Sequence, residues 1–324
     1  MTIEGVAAKP SWQTRAITAL LASRGQKQML GSAEGIHAAL EKRDRRVKEV
    51  RPPAFLHKAA TVTRDDLDGW PVFRVTPTAG PTDVSVVFLH GGGFFAEIVR
   101  PHWSFVRELG AAIPAQVVVP IYPLIPHSSA ADMVATTAAI LARTIEQRGG
   151  GNTVVMGNSA GGLLALAAAH VLRDQGGPQL SRVVLISAWL DATLSDPALP
   201  ELEQVDPLHQ RPGMAEVARI YADGLDLRDP RVSPLFGAIE GLPPLTIFSG
   251  THEMVLPDAR TLTRRAEAAG IPVDYHEGPG LPHNYALMPT PEGRAARKII
   301  VDACRAPQPD LSAVTGDCGP SSSR

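Results

Sequence analysis

The chain has 324 residues, 44% hydrophobic and 5% aromatic, with 31 basic and 33 acidic side chains for a formal net charge of -2. That length can bury a large core, and balanced, interspersed charge gives no electrostatic footprint for nucleic acid. Only Cys304 and Cys318 are available for oxidation, so no disulfide framework is expected, a cytoplasmic setting is the default, and a single bridge between them stays open.

In chain order, residues 1–60 read as helices ahead of the sheet. The apolar run 16–22 is too short to cross a bilayer and follows no basic leader, so no membrane span is expected. The charge run 41–49 mixes signs and reads as a solvated helix face. From about residue 70, short β-type runs alternate with helical stretches. The strands are expected at 72–75, 84–89, 117–121, 153–156, 183–186, 245–248 and 273–276. This alternation is that of a mostly parallel sheet with helices on both faces.

Local signals punctuate the helices between them. Ser129 and Asp132 have capping-box spacing, Gly149-Gly150-Gly151 closes that helix, and Thr290-Pro291 opens the last one. Residues 191–240 break the alternation: they are rich in Pro and Asp, with one helical stretch near 214–221. We expect this insertion and residues 1–60 to form a helical cap over the carboxyl edge of a core made of 61–190 and 241–305. Residues 306–324, rich in Pro, Gly and Ser, are expected to be a disordered tail. The apolar content also allows a homodimer.

Gly157-Asn158-Ser159-Ala160-Gly161 is a G-x-S-x-G pentapeptide between a β-type run and an Ala/Leu-rich helical run. Glycines two before and two after the serine suit the sharp strand-to-helix turn of a nucleophile elbow. A serine needs a base, an acid to orient that base, and donors for an oxyanion. His90-Gly91-Gly92-Gly93 follows an apolar strand, so the amides of Gly91, Gly92 and Gly93, with that of Ala160, are candidate oxyanion donors.

The candidate base is His283, in the Pro- and Gly-rich loop after the last strand. The candidate acid is Glu253, at the end of the preceding strand, with Asp258 as fallback; Asp258 otherwise reads as the N-cap of the next helix. His90 is expected to hold the glycine loop in shape. The order serine, acid, histidine is that of α/β-hydrolases. Two other readings lose. Gly91, Gly93 and Ala96 satisfy G-x-G-x-x-A, but no acid ends the next strand to take a ribose; His252-Glu253 suggests H-E-x-x-H, but Leu256 stands at the second histidine.

These residues resemble the hormone-sensitive-lipase-like branch of the α/β-hydrolases, over most of residues 70–304. The marks are His90-Gly91-Gly92-Gly93-Phe94, Tyr122-Pro123-Leu124-Ile125-Pro126, Gly157-Asn158-Ser159-Ala160-Gly161-Gly162, Ser187-Ala188-Trp189-Leu190-Asp191, Ser233-Pro234-Leu235 and Leu281-Pro282-His283. The resemblance implies an eight-stranded α/β-hydrolase sheet with a helical cap, no cofactor or metal, and cleavage of short carboxylic esters through an acyl-enzyme. Gly92, Gly93 and Ala160 would supply the oxyanion amides. Departures are Asn158 and Glu253 where the family usually has Asp, and His127 where it often has Glu.

Phe94, Phe95, Trp103, Trp189 and Tyr221 are candidates to line the substrate pocket. Two alternatives stay open: the same triad acting on an amide, formamide or lactone, and a hydrolase-fold protein that binds a small ligand without catalysis.

Overall fold

The computed structural model of the chain describes residues 9–45, 49–80, 83–177 and 179–305. Cys318 and the tail expected at 306–324 lie outside the described residues, whereas Cys304 is buried with a free thiol.

Three helices come first: α1 (Trp12–Ser23), α2 (Gln26–Met29) and α3 (Ala33–Asp44). Two strands follow, β1 (Ala60–Leu67) and β2 (Trp70–Pro77), and then alternation sets in with β3 (Ser85–Leu89), α4 (Arg100–Ala112), β4 (Gln116–Pro120), α5 (Ala130–Arg148), β5 (Thr153–Asn158), α6 (Ala160–Asp174) and β6 (Arg182–Ile186). The insertion contributes α7 (Leu199–Val205) and α8 (Arg211–Ala222). The chain closes with β7 (Leu245–His252), α9 (Leu256–Ala268), β8 (Val273–Pro282) and α10 (Pro291–Arg305).

The strands form one eight-stranded sheet in the order β1-β2-β4-β3-β5-β6-β7-β8. β2 runs antiparallel to β1 and β4, and every later neighbour pair is parallel. The central strands are buried along their length, and their side chains alternate between two apolar layers. Val87, Leu89, Val118, Val155 and Leu185 face the layer that includes α5, α6, α8 and α9. Val86, Phe88, Val117, Val119, Met156 and Ile186 face the layer built with α4 and α10. Strands apolar on both faces are what a parallel sheet sandwiched by helices requires. Each fully buried aliphatic side chain contributes roughly 1.5–3 kcal/mol relative to exposure.

The strands differ from the sequence reading mainly at the two edges of the sheet. β1 is absent from the expected strands because, Val62 aside, Thr61 to Asp66 carry polar and charged side chains that face solvent on the edge of the sheet. β7 and β8 run longer than expected, because their pairing continues past Phe248↔His276 to His252↔Pro282 across a bulge. Gly250 lets the strands approach: a Cβ there would lie 2.2 Å from the Leu281 carbonyl oxygen. The prolines of β8 are tolerated because it is an edge strand. His283 and Glu253 therefore follow strand ends directly rather than hanging on mobile loops.

The helix signals at α5 and α10 match their ends. The Ser129 hydroxyl accepts from Asp132 N–H at 3.3 Å, and Thr290 Oγ1 accepts from Gly293 N–H at 3.2 Å. α3 packs against α8, and His37 Nε2 lies 2.7 Å from Glu216 Oε1 across that contact. Among the described residues no helix is long and apolar enough to cross a membrane.

Candidate active site

Ser159 occupies the turn between β5 and α6 with φ 53° and ψ -123°, a conformation rarely taken by residues with a side chain. The turn can be this tight because of its glycines. A Cβ on Gly157 would lie 2.1 Å from the Gly161 carbonyl oxygen, and one on Gly161 would lie 2.1 Å from that of Leu89. The Ser159 amide is held by Ile186 O at 2.9 Å, which pins the elbow to β6.

The three side chains read from widely spaced motifs meet here. His283 Nε2 lies 3.0 Å from Ser159 Oγ, and His283 Nδ1 lies 2.8 Å from Glu253 Oε2. Glu253 is fully buried, and its other oxygen accepts from Gly250 N–H at 2.9 Å and from the Ser249 hydroxyl. The carboxylate is thus fixed at both ends, one on the β7 backbone and one on the imidazole. Asp258 does not join this chain. It lies inside the first turn of α9 rather than at its N-cap, and its Oδ2 accepts from Leu190 N–H at 2.8 Å and Asp191 N–H at 3.0 Å. Its side chain is committed to holding the loop after β6.

The glycine loop after β3 bends through positive φ at Gly92 (134°) and Gly93 (57°), conformations that favour glycine. Among the described residues, the amides of Gly92, Gly93 and Ala160 donate no hydrogen bond, and Ala160 stands at the first turn of α6, where the helix dipole favours negative charge. The expectation for Gly91 fails. Its N–H donates to Asn158 Oδ1 at 2.8 Å, so it is unavailable to an oxyanion. Asn158 also donates from Nδ2 to Asn284 Oδ1 at 3.2 Å, tying the glycine loop to the residue beside His283. An amide at position 158 fits because it accepts on one side and donates on the other.

His90 is wholly buried under the loop. Its Nδ1–H donates to Gly91 O at 2.8 Å, its ring stacks on Tyr122 at 4.3 Å, and Tyr122 OH donates to its carbonyl at 2.6 Å. Burial lowers its pKa to about 4, so the ring is a neutral brace at ordinary pH.

A cavity of about 200 Å³ opens above Ser159 and His283. Its floor includes Gly92, Gly93 and Asn284; its roof comes from Leu30 and Ile36 of the N-terminal segment and from Leu208 to Val217 of the insertion. Phe95 and Trp189 line it. Phe94, Tyr221 and Trp103 do not. Phe94 and Tyr221 are fully buried and stacked face to face at 3.9 Å, with Tyr221 OH donating to Arg231 O; Trp103 packs edge-on against Phe73 in the opposite layer. A residue next to a motif faces the site only if the backbone turns it that way, and at Phe94 the positive φ (60°) turns it inward.

Sequence reasoning missed Asp206 and His209. His209 lines the cavity with its ring edge-to-face against His283, centroids 4.5 Å apart. Asp206 Oδ2 lies 3.0 Å from His209 Nδ1 and accepts from Met254 N–H at 2.9 Å, while Oδ1 accepts from Leu208 and His209 N–H. The Asp206-to-His209 spacing is visible in the sequence, but nothing local shows that the insertion folds back onto the serine.

The sequence profile described as the alpha/beta hydrolase fold matches residues 86–287, which spans both strand-end motifs and the insertion. The chain belongs to the α/β-hydrolase family. Within it the chain is hormone-sensitive-lipase-like: it superposes with TM-score 0.76 on the crystal structure of an esterase from the bacterial hormone-sensitive lipase family, at 25% identity, covering 92% of this chain and 98% of that one. It is also similar to a triacylglycerol lipase of Mycobacterium tuberculosis, 35% identical over 245 residues, 75% of this chain. An acetyl-hydrolase of Streptomyces hygroscopicus is 33% identical over 218 residues, 66% of this chain and 73% of that protein. The chain spans about half (51%) of the length of the mycobacterial lipase.

Proposed function

We propose that this α/β-hydrolase is a serine carboxylesterase that cleaves short-chain esters through an acyl-enzyme. The observation that carries the reading is the unbroken chain Ser159 Oγ, His283 Nε2, His283 Nδ1, Glu253 Oε2, with steps of 3.0 and 2.8 Å, beside three amides that have no acceptor among the described residues. Ser159 Oγ attacks the ester carbonyl while His283 Nε2 takes its proton. Glu253 holds the Nδ1–H tautomer and stabilises the imidazolium. The carbonyl oxygen, now negative, is received by the amides of Gly92, Gly93 and Ala160. His283 returns the proton to the departing alcohol, and water then repeats the sequence to free the acid.

The roof formed by the N-terminal helices and the insertion acts as a cap. A cavity of about 200 Å³ is smaller than the ~300–1,000 Å³ typical of drug-sized ligands, which supports a short acyl chain. The low cysteine content supports a cytoplasmic setting.

The test is a panel of p-nitrophenyl esters from acetate to dodecanoate, with amide and lactone substrates alongside, and labelling by a serine-directed phosphonate. The expected result is a preference for short acyl chains and a label that Ser159→Ala abolishes. Failure to release acid from every ester, with no label, would leave the ligand-binding reading; turnover confined to amides or lactones would move the reaction class.

A further inference from the structure

A second carboxylate and imidazole pair faces the first across the cavity. Asp206 is buried and satisfied on every side. Its oxygens take three backbone N–H groups and the Nδ1 edge of His209, and its own carbonyl accepts from Lys27 Nζ at 2.7 Å. The His209 ring is therefore held at one edge, and its other edge is left to the cavity: Nε2 has no hydrogen-bond partner among the described residues, although 27% of the side chain is exposed. Apart from Gln26, Gln210 and Asn284, the residues of the roof and rim near it are apolar: Leu30, Ile36, Leu208, Met214 and Val217. A polar atom fixed from behind and left open in an apolar roof is built to meet a polar atom of whatever fills the cavity.

The position of His209 says which part of the substrate it meets. His283 Nε2 must face the oxygen of the departing alcohol, because it returns the proton there, and the His209 ring lies edge-to-face with His283 at 4.5 Å. The alcohol portion is thus the part of the ester nearest His209.

The geometry points to His209 as a specificity-determining residue whose Nε2–H donates to an oxygen on the leaving alcohol, so that the preferred substrates are esters of diols or other oxygen-bearing alcohols rather than of plain alkanols. This rests on the esterase reading above. The charge state agrees with a donor role. Burial pulls the imidazole down, but the Asp206 carboxylate outweighs it and sets the group above its ordinary value, which favours the imidazolium, the form in which Nε2 carries a hydrogen while Nδ1–H is given to Asp206. Because Asp206 balances that charge, the pair favours a neutral oxygen over a second carboxylate.

The experiment compares 2-methoxyethyl butyrate with n-butyl butyrate, which share an acyl group and a chain length and differ by one oxygen for one methylene. Initial rates in a pH-stat give the ratio of kcat/KM for the two esters in wild type, His209→Leu and His209→Gln. Intrinsic reactivity cancels when ratios are compared between proteins. We expect wild type to favour the oxygen-bearing ester and His209→Leu to lower the ratio about tenfold, the scale of a lost hydrogen bond to a charged donor. His209→Gln, which keeps an N–H, should restore part of it. A fall of threefold or more upholds the assignment, and any smaller change overturns it, however much both rates drop together. Should His209→Leu not fold, His209→Asn, whose amide is too short to span from Asp206 to the substrate, is read against the same threshold. If wild type cleaves neither ester and takes no phosphonate label, the esterase reading itself has failed; if it cleaves both and the ratio does not move, only the role of His209 has.

Discussion

Replacing Glu253 by Gln preserves shape and removes one acceptor, so it isolates what the acid does. In the native site Oε2 faces His283 Nδ1 at 2.8 Å while Oε1 accepts from Gly250 N–H at 2.9 Å. A glutamine amide has two ways to fill that space. If its oxygen stays on Gly250, its NH2 group faces Nδ1, the imidazole proton is forced onto Nε2, and the base cannot take a proton from Ser159. If the amide is reversed, the imidazole keeps its working tautomer, but NH2 then faces the Gly250 N–H and a buried donor goes unpaired, at about 1–3 kcal/mol. Even with the reversed form fully active, that penalty removes roughly 5- to 150-fold. The tautomer-locked form sets the other limit, about 10⁴-fold, as seen when the acid of a serine protease triad is made an amide. The assay is kcat/KM on p-nitrophenyl butyrate, with a calorimetric melt to show that the variant folds cooperatively. A loss smaller than fivefold in Glu253→Gln, together with collapse of activity in Asp258→Asn, would refute the assignment and move the acid role to Asp258.

Ser159→Ala should abolish ester turnover and the phosphonate mass shift while retaining a cooperative melt, since the elbow is fixed by glycine packing and by the backbone bond to Ile186 rather than by the hydroxyl. Phe94→Ala should cost about 3–5 kcal/mol, read from the urea midpoint, without altering the acyl-chain profile, because its ring packs on Tyr221 and not on substrate. Met214→Ala should enlarge the roof and raise kcat/KM for hexanoate relative to butyrate by about tenfold; an unchanged profile would show that Met214 does not limit chain length. The Asp206 and His209 pair gives a pH signature. Burial works against the charged carboxylate of Asp206, but His209 holds it well below the usual range, so its stabilisation is present above about pH 4 and is lost as pH falls through the lowered value. His209 is raised, so its contribution is complete below about pH 6.5 and is lost as pH rises through the raised value. The difference in Tm between wild type and His209→Leu should be widest between about pH 4 and 6.5 and shrink on both sides; a difference that is flat with pH contradicts the pairing.

The sheet was legible because its interior strands are short apolar runs spaced by helices, a pattern set by burial on both faces. The edge was not: β1 is mostly polar, and the glycines and prolines that make β8 look like loop are ones an edge strand can carry. At the site, the grouping of Ser159, Glu253 and His283 was legible because elbow sterics and strand-end placement constrain the sequence locally. Gly91 misled, because a triglycine shows that amides can come close but not which of them is already engaged. Phe94 and Tyr221 misled for a related reason, since the direction of a side chain depends on backbone dihedrals that proximity to a motif does not encode. His209 was invisible as a site residue because its role arises only when residues 206 and 254, far apart in the chain, are brought together.

The bond from Met254 N–H to Asp206 joins two parts of the molecule that otherwise could vary separately. The proposed reacting groups stand on strand ends, whereas the roof of the cavity comes from segments outside the sheet, so new substrates could be reached by redrawing the roof while the chemistry stays still. Asp206 limits that freedom. It holds the backbone one residue after Glu253 from within the roof, so a change of preference that displaced it would also loosen the acid. Variation that broadens substrate range should therefore accumulate around 26–36 and 210–217 and spare position 206, and a library randomised across the roof would be expected to return active clones with Asp206 kept.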